Sequence, residues 1–570
     1  MWFVNFSKSN CKNCYACVRV CPVNAVEVKN EKAQIMKSRC IVCGECSKVC
    51  HQNTKLIKSE KKLVQSYFKD NEKVVVSIAP SFAAIYGANS NKIPSALKKL
   101  GFEYIEETVV GVDPIIDQYH FYTNKSDDKN YITSFCPSVC NLIQKHYPDL
   151  IDNLIPVVSP HICHARMLKQ KYGADTKVVF IGPCIAKKTE AYMENSIDSV
   201  LTFRELDRWL VDENIKLDEL QEEPFDEICV EKRLFPIVGG PTKEIEKKKT
   251  KRDILHVDGI KECIETLDAI RDGKFNNVLF EMSSCRHGCL GGSGMPNDCI
   301  SYHERKVNLK KYSKEILIPK DNDKNKLDNS LLNIAIDKEF KSLYVPLKEP
   351  CEEEITKILN NMGKYKKSDE LNCGNCGYST CRKKAVAVYN DMAEISMCLP
   401  YMRQKAENLT NVIFDTTPNL IILIDKDLDV IQMNPSAEKF FKVKRGTEKG
   451  LPIILFLEEE IFNKVRESKK NIFKEKVTIP QKGATIIQSV IWLEHDQVML
   501  WIADDITKNE ELERKHQKMK FDAINMAQKV INKQMTVAQE IASLLGETTA
   551  ETKVTLTQLK NLIQSEEEIK

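Results

Sequence analysis

The segment NNVLFEMSSCRHGCLGG, residues 276–292, joins an apolar run to a turn that carries Cys285 and Cys289. Two other runs have the same form, VVVSIAP at 74–80 and KVVFIGP at 177–183. These β-branched runs predict buried strands that alternate with helices in a parallel-sheet α/β domain. Because such folds place their sites beyond the carboxyl ends of the strands, the turn at 283–289 marks a candidate site.

The length, charge and hydropathy of the chain limit the classes of protein to which it can belong. The chain has 570 residues, which predicts roughly four domains. Its 84 basic and 81 acidic residues give a net charge of +3, and no block is strongly basic, so we expect no nucleic-acid partner. The sequence contains no run of about 18 apolar residues, so we expect no membrane span. The first residues contain no apolar signal-peptide core, which favours a cytoplasmic protein.

The cysteines are clustered along the chain. There are 22 of them, eight in the first 50 residues and none after Cys398. Disulfide frameworks are typical of short secreted domains, whereas clustered cysteines in a long unexported chain favour metal binding. We therefore predict a cytoplasmic iron–sulfur protein, adapted to an anaerobic or low-oxygen setting.

Residues 1–58 contain two cysteine quartets, each spaced C-x2-C-x2-C-x3-C. They comprise Cys11, Cys14, Cys17 and Cys21, then Cys40, Cys43, Cys46 and Cys50. This repeat resembles a bacterial two-cluster ferredoxin, in which the fourth cysteine of each quartet crosses to the other cluster. The resemblance implies one [4Fe–4S] cluster on Cys11, Cys14, Cys17 and Cys50, and a second on Cys40, Cys43, Cys46 and Cys21. Zinc is the alternative, because CxxC pairs also bind zinc.

Four more cysteines lie in distinctive contexts between residues 72 and 345. They are Cys136 in TSFCP, Cys184 in GPCIAKK, and the pair Cys285 and Cys289. On spacing alone, four converging thiolates predict a cubane and reveal no further metal. Together these motifs resemble the catalytic domain of [FeFe]-hydrogenases. The resemblance implies that the first three cysteines hold a cubane, and that Cys289 bridges it to a two-iron unit carrying CO and cyanide.

The same resemblance implies further residues at this H-cluster site. Lys187, three residues after Cys184, matches a lysine that contacts a cyanide ligand, although without the resemblance a solvated lysine would be the favoured explanation. The segment from Ala79 through Pro80 to Ser81 matches a lining segment, and Pro183 precedes the cubane ligand. We therefore expect Cys289, Lys187 and Ser81 to act in catalysis. The residues expected to bind the cofactor are Ala79, Pro80, Ser81, Pro183 and Lys187.

Three departures from the family's pattern affect proton delivery. Phe135 stands where active members have a proton-donating cysteine, and Ser283 replaces an expected methionine. The acidic pair expected after Gly111 is Gln118 and Tyr119 here. A positioned proton carrier contributes roughly 10²–10⁴-fold to rate, so its loss raises the barrier by about 3–5 kcal/mol. Cys140 or Cys163 is either part of another proton route or an inert buried cysteine.

Residues 350–405 form a third cysteine-rich unit with the spacing C-x2-C-x4-C-x16-C. It comprises Cys373, Cys376, Cys381 and Cys398. It resembles a small [4Fe–4S] domain of redox complexes and corrinoid proteins, with zinc as the alternative. The expected cofactors are therefore three accessory [4Fe–4S] clusters and one H-cluster.

The chain after residue 408 contains no cysteine and has a different pattern. Residues 408–506 contain paired strands, the helix start NPSAEKFF and a closing strand, and they resemble a PAS domain. Residues 507–570 carry apolar residues at helical spacing and resemble a signalling helix, or else an ordinary amphipathic helix. No flavin- or haem-binding residue is evident, so we expect a homodimer through these parts. Two stretches are expected to be irregular, a connector at 58–73 and a surface excursion at 320–330.

The order of these parts resembles sensory-type [FeFe]-hydrogenases, with a multidomain α/β and α+β fold. The first hypothesis is a hydrogen or redox sensor with slow 2H⁺ + 2e⁻ ⇌ H₂ chemistry. The second is a catalytic ferredoxin-linked hydrogenase with another proton route. The third is a diiron-free iron–sulfur scaffold or electron-transfer protein. Expected partners are ferredoxin or another electron carrier, hydrogenase maturation proteins and an unknown signalling partner.

Overall fold

The computed structural model divides the chain into two compact units, residues 1–402 and 403–570. The surface excursion expected at 320–330 lies outside the described residues. No described helix combines the length and the apolar character needed to cross a membrane. The structure describes residues 4–6, 11–52, 55–247, 250–296, 300–315, 317, 334–444, 446–494, 496–543 and 550–565.

The N-terminal quartets lie on two short helices and on the loops around them, and the same part of the chain contains two antiparallel strand pairs. The elements are β1 (Val4–Phe6), α1 (Ala16–Val20), β2 (Val26–Lys29), β3 (Lys32–Ile35), α2 (Glu45–Lys48) and β4 (Lys55–Ile57). β1 pairs with β4, and β2 pairs with β3. With so few apolar residues, this part has little core of its own, as expected where metal clusters supply folding energy.

The central domain contains two parallel sheets flanked by helices. Its elements are α3 (Lys61–Lys69), β5 (Val74–Ile78), α4 (Ala83–Tyr86), α5 (Ile93–Lys99), β6 (Tyr104–Glu107), α6 (Asp113–Asn124), β7 (Tyr131–Ile132), α7 (Pro137–His146), α8 (Pro160–Tyr172), β8 (Lys177–Gly182), α9 (Ala186–Glu194), β9 (Ser199–Thr202), α10 (Phe203–Asp212), α11 (Gly240–Glu246), β10 (Asp253–Asp258), α12 (Ile260–Arg271), β11 (Val278–Ser283) and α13 (Tyr302–Tyr312). One sheet has the order β6-β5-β8-β9 and the other β10-β11-β7.

The three apolar runs of the sequence form β5, β8 and β11, which confirms the predicted strands. Every residue of β5 is buried, and it pairs in parallel with β6 on one side and with β8 on the other. A strand covered on both faces needs apolar side chains at every position, which is why it shows no polar alternation.

The expected connector at 58–73 is wrong in part, because its middle forms the helix α3. Val64 and Tyr67 of this helix are buried, and the Tyr67 hydroxyl lies 3.0 Å from Ser199 Oγ in β9. The helix is amphipathic, with its lysines on the solvent face and its buried residues on the opposite face. Its basic composition therefore gave no indication that one face packs against the domain.

The third cysteine-rich unit is helical. It contains α14 (Glu352–Asn361) and α15 (Cys381–Tyr389), and α16 (Leu399–Thr416) begins directly after Cys398. The Thr380 hydroxyl caps α15 by accepting from the backbone N–H of Lys383 at 3.0 Å. This cap places Cys381 at the first position of the helix.

The second unit contains one antiparallel sheet and two long helices. Its elements are β12 (Leu420–Ile424), β13 (Val430–Met433), α17 (Pro435–Phe441), α18 (Glu460–Ser468), β14 (Ile472–Ile479), β15 (Ala484–Leu493), β16 (Val498–Asp505), α19 (Thr507–Ala542) and α20 (Ala550–Ser565). The sheet order is β13-β12-β16-β15-β14. Asn434 caps α17 by accepting from the Ala437 N–H at 3.0 Å, with Pro435 at the first position. The predicted strands and helix starts in this part are confirmed.

Candidate metal centre

A cavity of about 140 Å³ lies beyond the carboxyl ends of the central strands. The segment after β5 contributes Ala79, Pro80 and Ser81, and the turn after β8 contributes Pro183. Lys187, on the first turn of α9, also lines it. These are the expected cofactor-lining residues, so the structure brings all of them to one place.

All four central cysteines line this cavity: Cys136, Cys184, Cys285 and Cys289. Cys136 Sγ lies 3.6 Å from Ser284 Oγ, which joins the turn after β7 to the turn after β11. Burial, together with the charges of neighbouring thiolates, raises the pKa of Cys285 to about 11 and that of Cys289 to about 12. Because metal coordination deprotonates a thiol outright, iron would offset this cost.

Lys187 is held at the cavity wall by three partners. Its ammonium lies 3.0 Å from Glu190 Oε2, 3.1 Å from His161 Nδ1 and 3.3 Å from the carbonyl oxygen of Phe135. Glu190 is fully enclosed, and although burial opposes its ionisation, the charges of Lys187 and Lys338 hold its pKa well below the usual range. This geometry excludes the alternative that Lys187 is a freely solvated lysine.

Two hydrogen-bond donors face the cavity without a partner. Within the described part of the chain, Ser81 Oγ and His161 Nε2 are buried and make no hydrogen bond. His161 Nδ1 lies 3.1 Å from the Lys187 ammonium and 2.8 Å from Ser159 Oγ, and burial lowers the pKa of the ring well below 6.5. Because an ammonium can only donate, we assign Nδ1 as the acceptor and the proton of the neutral ring to Nε2. Unpaired buried donors are costly, so this lining fits a bound group that presents acceptors.

Phe135 also lines the cavity, next to Cys136. Its ring stacks on Tyr119, whose hydroxyl lies 2.8 Å from Ser134 Oγ. Phe135, stacked on Tyr119, therefore occupies the position where the family's pattern has a cysteine. Burial raises the pKa of Cys140 and of Cys163 to about 12, so both keep their protons at neutral pH.

The N-terminal unit contains a second cysteine-lined cavity, of about 20 Å³. Cys21 of the first quartet lies here beside Cys40, Cys43 and Cys46 of the second quartet. Burial, with a smaller contribution from the charge of the nearby Cys21, raises the pKa of Cys40 to about 11. Of the remaining four cysteines, Cys17 lies in α1, and Cys11, Cys14 and Cys50 lie on loops.

The third unit also surrounds a cavity of about 20 Å³, lined by Cys373, Cys376, Cys381 and Cys398. Lys384 lines the same cavity, is 1% exposed, and donates to the Glu394 carbonyl at 2.5 Å. Burial lowers the pKa of Lys384 to about 8.

Sequence reasoning missed Lys384, as well as His161, Glu190 and Lys338 around the central cavity. One signal was present, because Lys187 and Lys384 each follow a cysteine by three residues at a helix start. In α15, one helical turn places Cys381 and Lys384 on the same side of the helix, whereas Cys184 lies two residues before α9 begins. For the other residues we find no local signal.

Zinc and iron–sulfur clusters place different demands on cysteine geometry. Among the described residues, no group of three or more His, Cys, Asp or Glu side chains is arranged to hold one metal ion. A tetrahedral zinc site needs four ligand atoms within about 2.3 Å of one point.

Comparison with known families matches four parts of the chain. Residues 72–293 match the family described as iron only hydrogenase large subunit, C-terminal domain. Residues 3–51 match a 4Fe-4S dicluster domain, and residues 369–400 match an iron–sulfur cluster family. Residues 408–477 match a PAS domain.

Two of the relatives are hydrogenases, and others are described as nuclear prelamin A recognition factor and cytosolic iron-sulfur assembly component 3. NADP-reducing hydrogenase subunit HndD of Solidesulfovibrio fructosivorans is 24% identical over 387 residues, covering 56% of this chain and 60% of that protein. Iron hydrogenase 1 of Clostridium pasteurianum is 28% identical over 357 residues, covering 52% and 61%. This chain thus spans about three fifths of the length of these two relatives.

Among solved structures, a variant of an [FeFe]-hydrogenase from Chlamydomonas reinhardtii is similar with a TM-score of 0.40 and 16% identity. That match covers 50% of this chain and 100% of the other. The matched families support iron–sulfur cofactors and an H-cluster-like site in the central domain. The matched domains and the hydrogenase relatives thus support a multidomain protein that is similar to [FeFe]-hydrogenases in its central domain and carries iron–sulfur and PAS domains.

Proposed function

We propose that the central cavity holds an H-cluster and that the protein is a hydrogen or redox sensor with slow hydrogen chemistry. Cys136, Cys184 and Cys285 would hold the cubane, and Cys289 would bridge it to the two-iron unit. The observation that carries this proposal is one cavity that contains four cysteines, the ammonium of Lys187 and the unpaired donors of Ser81 and His161.

When bound, the H-cluster supplies the reaction H₂ ⇌ 2H⁺ + 2e⁻. Lys187 would present its ammonium to an anionic ligand, held in place by its 3.0 Å contact with Glu190. Ser81 Oγ and His161 Nε2 would donate to the remaining acceptors. Phe135 cannot carry a proton, so the residues at the cavity favour hydrogen binding over rapid turnover.

The other two cysteine-lined cavities would hold accessory [4Fe–4S] clusters. In the N-terminal unit, Cys21 would complete the cluster of Cys40, Cys43 and Cys46, beside which it lies. Cys50 would complete the cluster of Cys11, Cys14 and Cys17. In the third unit, Cys373, Cys376, Cys381 and Cys398 would hold one more. These clusters would exchange single electrons with a ferredoxin or another one-electron carrier.

The second unit would convert the state of the metal sites into a signal. We assign 408–506 to the PAS domain and 507–570 to a signalling and dimerisation tail, after an iron–sulfur domain at 350–405, the central domain at 72–345 and the ferredoxin-like domain at 1–58. The protein would be cytoplasmic and homodimeric. It would need hydrogenase maturation proteins for the two-iron unit and a signalling partner for its output.

Infrared spectroscopy of the full chain, matured without oxygen, tests the site. Metal-bound CO and cyanide absorb where protein does not, so we expect bands that shift on addition of H₂. Cys289→Ala should abolish these bands and leave the N-terminal cluster signals. Cys351→Ala, at an exposed cysteine outside the three cavities, should change neither. A matured protein with no bands, beside a control hydrogenase that shows them, would leave a diiron-free iron–sulfur protein.

A second candidate function is a catalytic ferredoxin-linked hydrogenase with another proton route. A buried chain of polar groups favours it, because Lys187 contacts Glu190, and Lys338 contacts both Glu190 at 3.0 Å and the partly exposed Glu194 at 3.2 Å. This chain leads from the cavity towards solvent. High hydrogen turnover of the matured wild-type protein, lost in Glu190→Gln, would establish this function and exclude a slow sensor.

A further inference from the structure

The third cysteine-rich unit packs directly on the ferredoxin-like unit. Gly377, next to Cys376, has a φ of +90°, and a Cβ at this position would lie 2.7 Å from Val18 Cγ1 and 3.1 Å from Arg19 N. Val18 and Arg19 belong to α1, between Cys17 and Cys21. The loop that carries Cys376 therefore approaches α1 so closely that only glycine fits without displacement.

The contact is an apolar, buried interface. Val18 and Tyr378 are buried together with Met392 and Met397, and Cys11, Cys17, Cys21 and Cys376 pack against the same cluster. Burial raises the pKa of the Tyr378 phenol, and the charges of Cys376 and Cys21 raise it further. The aromatic ring is thus close to one cysteine of the third unit and one of the ferredoxin-like unit.

Hydrogen bonds fix the register of this interface. The Val28 N–H at the edge of β2 donates to the Met392 carbonyl at 3.0 Å. The Arg19 guanidinium donates to the Asn375 carbonyl at 3.3 Å, one residue before Cys376. A backbone bond on one side and a side-chain bond on the other hold the two cysteine-bearing segments in a defined position.

The ferredoxin-like unit makes a similar contact with the central site. A Cβ on Gly44, which follows Cys43, would lie 2.8 Å from Ile185 Cδ1, and Ile185 follows Cys184. Val42, Ile185 and Ala186 form a buried cluster against which Cys40 and Cys184 pack. Lys48 also donates to the Gly291 carbonyl, two residues after Cys289, at 3.2 Å.

We propose that the three cysteine-lined regions form one series, in which the third unit exchanges electrons with the central site through α1 of the ferredoxin-like unit. This proposal rests on the proposed clusters. One electron passes from a reduced cluster to its oxidised neighbour, with no bond formed and no proton transferred. Each H₂ oxidised supplies two such electrons, which a one-electron carrier removes. Because electron tunnelling weakens steeply with distance, the close contact at Gly377 controls how readily electrons reach the third cluster.

Electron paramagnetic resonance of the full chain tests the junction, using protein produced without maturation and reduced with titanium(III) citrate. We expect spin–spin broadening of the ferredoxin-like signals by the reduced third cluster. Cys381→Ser should remove one cluster's iron and abolish that broadening. Ferredoxin-like signals that are identical with and without the third cluster would overturn the proposal. Because this protein lacks the two-iron unit, that result leaves the proposed hydrogen site to be judged by its infrared bands.

A matched glycine pair separates contact from backbone strain. Gly377→Ala and Gly374→Ala both place a side chain at positive φ, +90° and +71°, but a Cβ on Gly374 would meet nothing within 4 Å. We expect weaker broadening only in Gly377→Ala, with iron content equal to wild type. Equal broadening in both variants would refute the role of this contact. If Gly377→Ala does not fold, the Cys381→Ser comparison decides alone.

Discussion

The ring of Phe135 stacks on the ring of Tyr119, with the ring centroids 4.4 Å apart and an angle of 24° between their planes. The stack lies at the wall of the central cavity, beside Cys136. Phenylalanine has no titratable group, and burial raises the pKa of the Tyr119 phenol well above its usual value, so neither side chain exchanges protons at neutral pH. The pair therefore occupies the place next to Cys136 without serving as a proton carrier. The proposed sensor role depends on this replacement of a proton-donating cysteine by a packed aromatic residue.

Phe135→Cys should raise hydrogen turnover of the matured protein by roughly 10²-fold or more, because a positioned acid contributes 10²–10⁴-fold. The measurement is hydrogen production with a chemical reductant. Phe235→Cys is the matched control, since Phe235 lines the same cavity and its ring lies 5.1 Å from that of Phe135. Equal turnover in both variants and wild type would show that proton delivery does not limit the rate.

Lys187 and Lys188 are neighbours with different surroundings, so their methionine variants should differ. Lys188 is buried away from the cavity, 3.1 Å from Glu205 and 3.7 Å from Glu60. Lys188→Met leaves two carboxylates without their cation and should cost about 3–5 kcal/mol of unfolding free energy. Lys187→Met should instead shift the infrared bands of the matured site. Chemical unfolding and infrared spectra of both variants check this, and unchanged bands in Lys187→Met would contradict its placement.

His146 should make the first unit less stable in mild acid. Burial lowers the pKa of His146 to about 4, and its ring Nε2 lies 2.8 Å from the Arg39 carbonyl oxygen. Between pH of about 6.5 and 4 the unfolded chain binds a proton that the folded chain refuses, so the unfolding free energy falls as pH falls. Across that window the loss should reach about 1–3 kcal/mol.

The check for His146 is chemical unfolding at pH 7 and pH 5, compared with His146→Gln. The variant should lose less stability between these pH values than wild type. His303→Gln, at an exposed histidine, should follow wild type. A pH dependence unchanged in His146→Gln would show that other groups govern the acid sensitivity.

The helix α19 should mediate dimerisation. Leu512, Met519, Met526, Val530 and Val537 are exposed along it at spacings of seven and four, which is typical of a coiled-coil seam. Met519→Glu with Met526→Glu should therefore produce monomers in analytical ultracentrifugation. Gln517→Glu with Asn525→Glu introduces the same charge on another face and should leave the dimer intact. A wild-type monomer would refute this assignment.

Local sequence determined the chemistry and the main elements of this protein. The cysteine spacings point to clusters because ligands a few residues apart reach one small centre without help from the rest of the fold. The strands β5, β8 and β11 were predictable because a strand buried on both faces is apolar throughout. Asn434 and Pro435 likewise predict the start of α17, because Asn is a common N-cap and Pro is common at the first helical position.

Tertiary structure decided which side chains share an environment. His161 from α8, Glu190 from α9 and Lys338 from a distant loop meet around Lys187, and no periodicity records such a meeting. The sequence of α3 is typical of a connector because exposed lysines dominate its composition, and only packing shows that it is a helix with a buried face. Burial and long-range contacts are properties of the folded chain. The contact of Lys338 with Glu190, and that of Gly377 with Val18, can therefore be identified only from the tertiary structure.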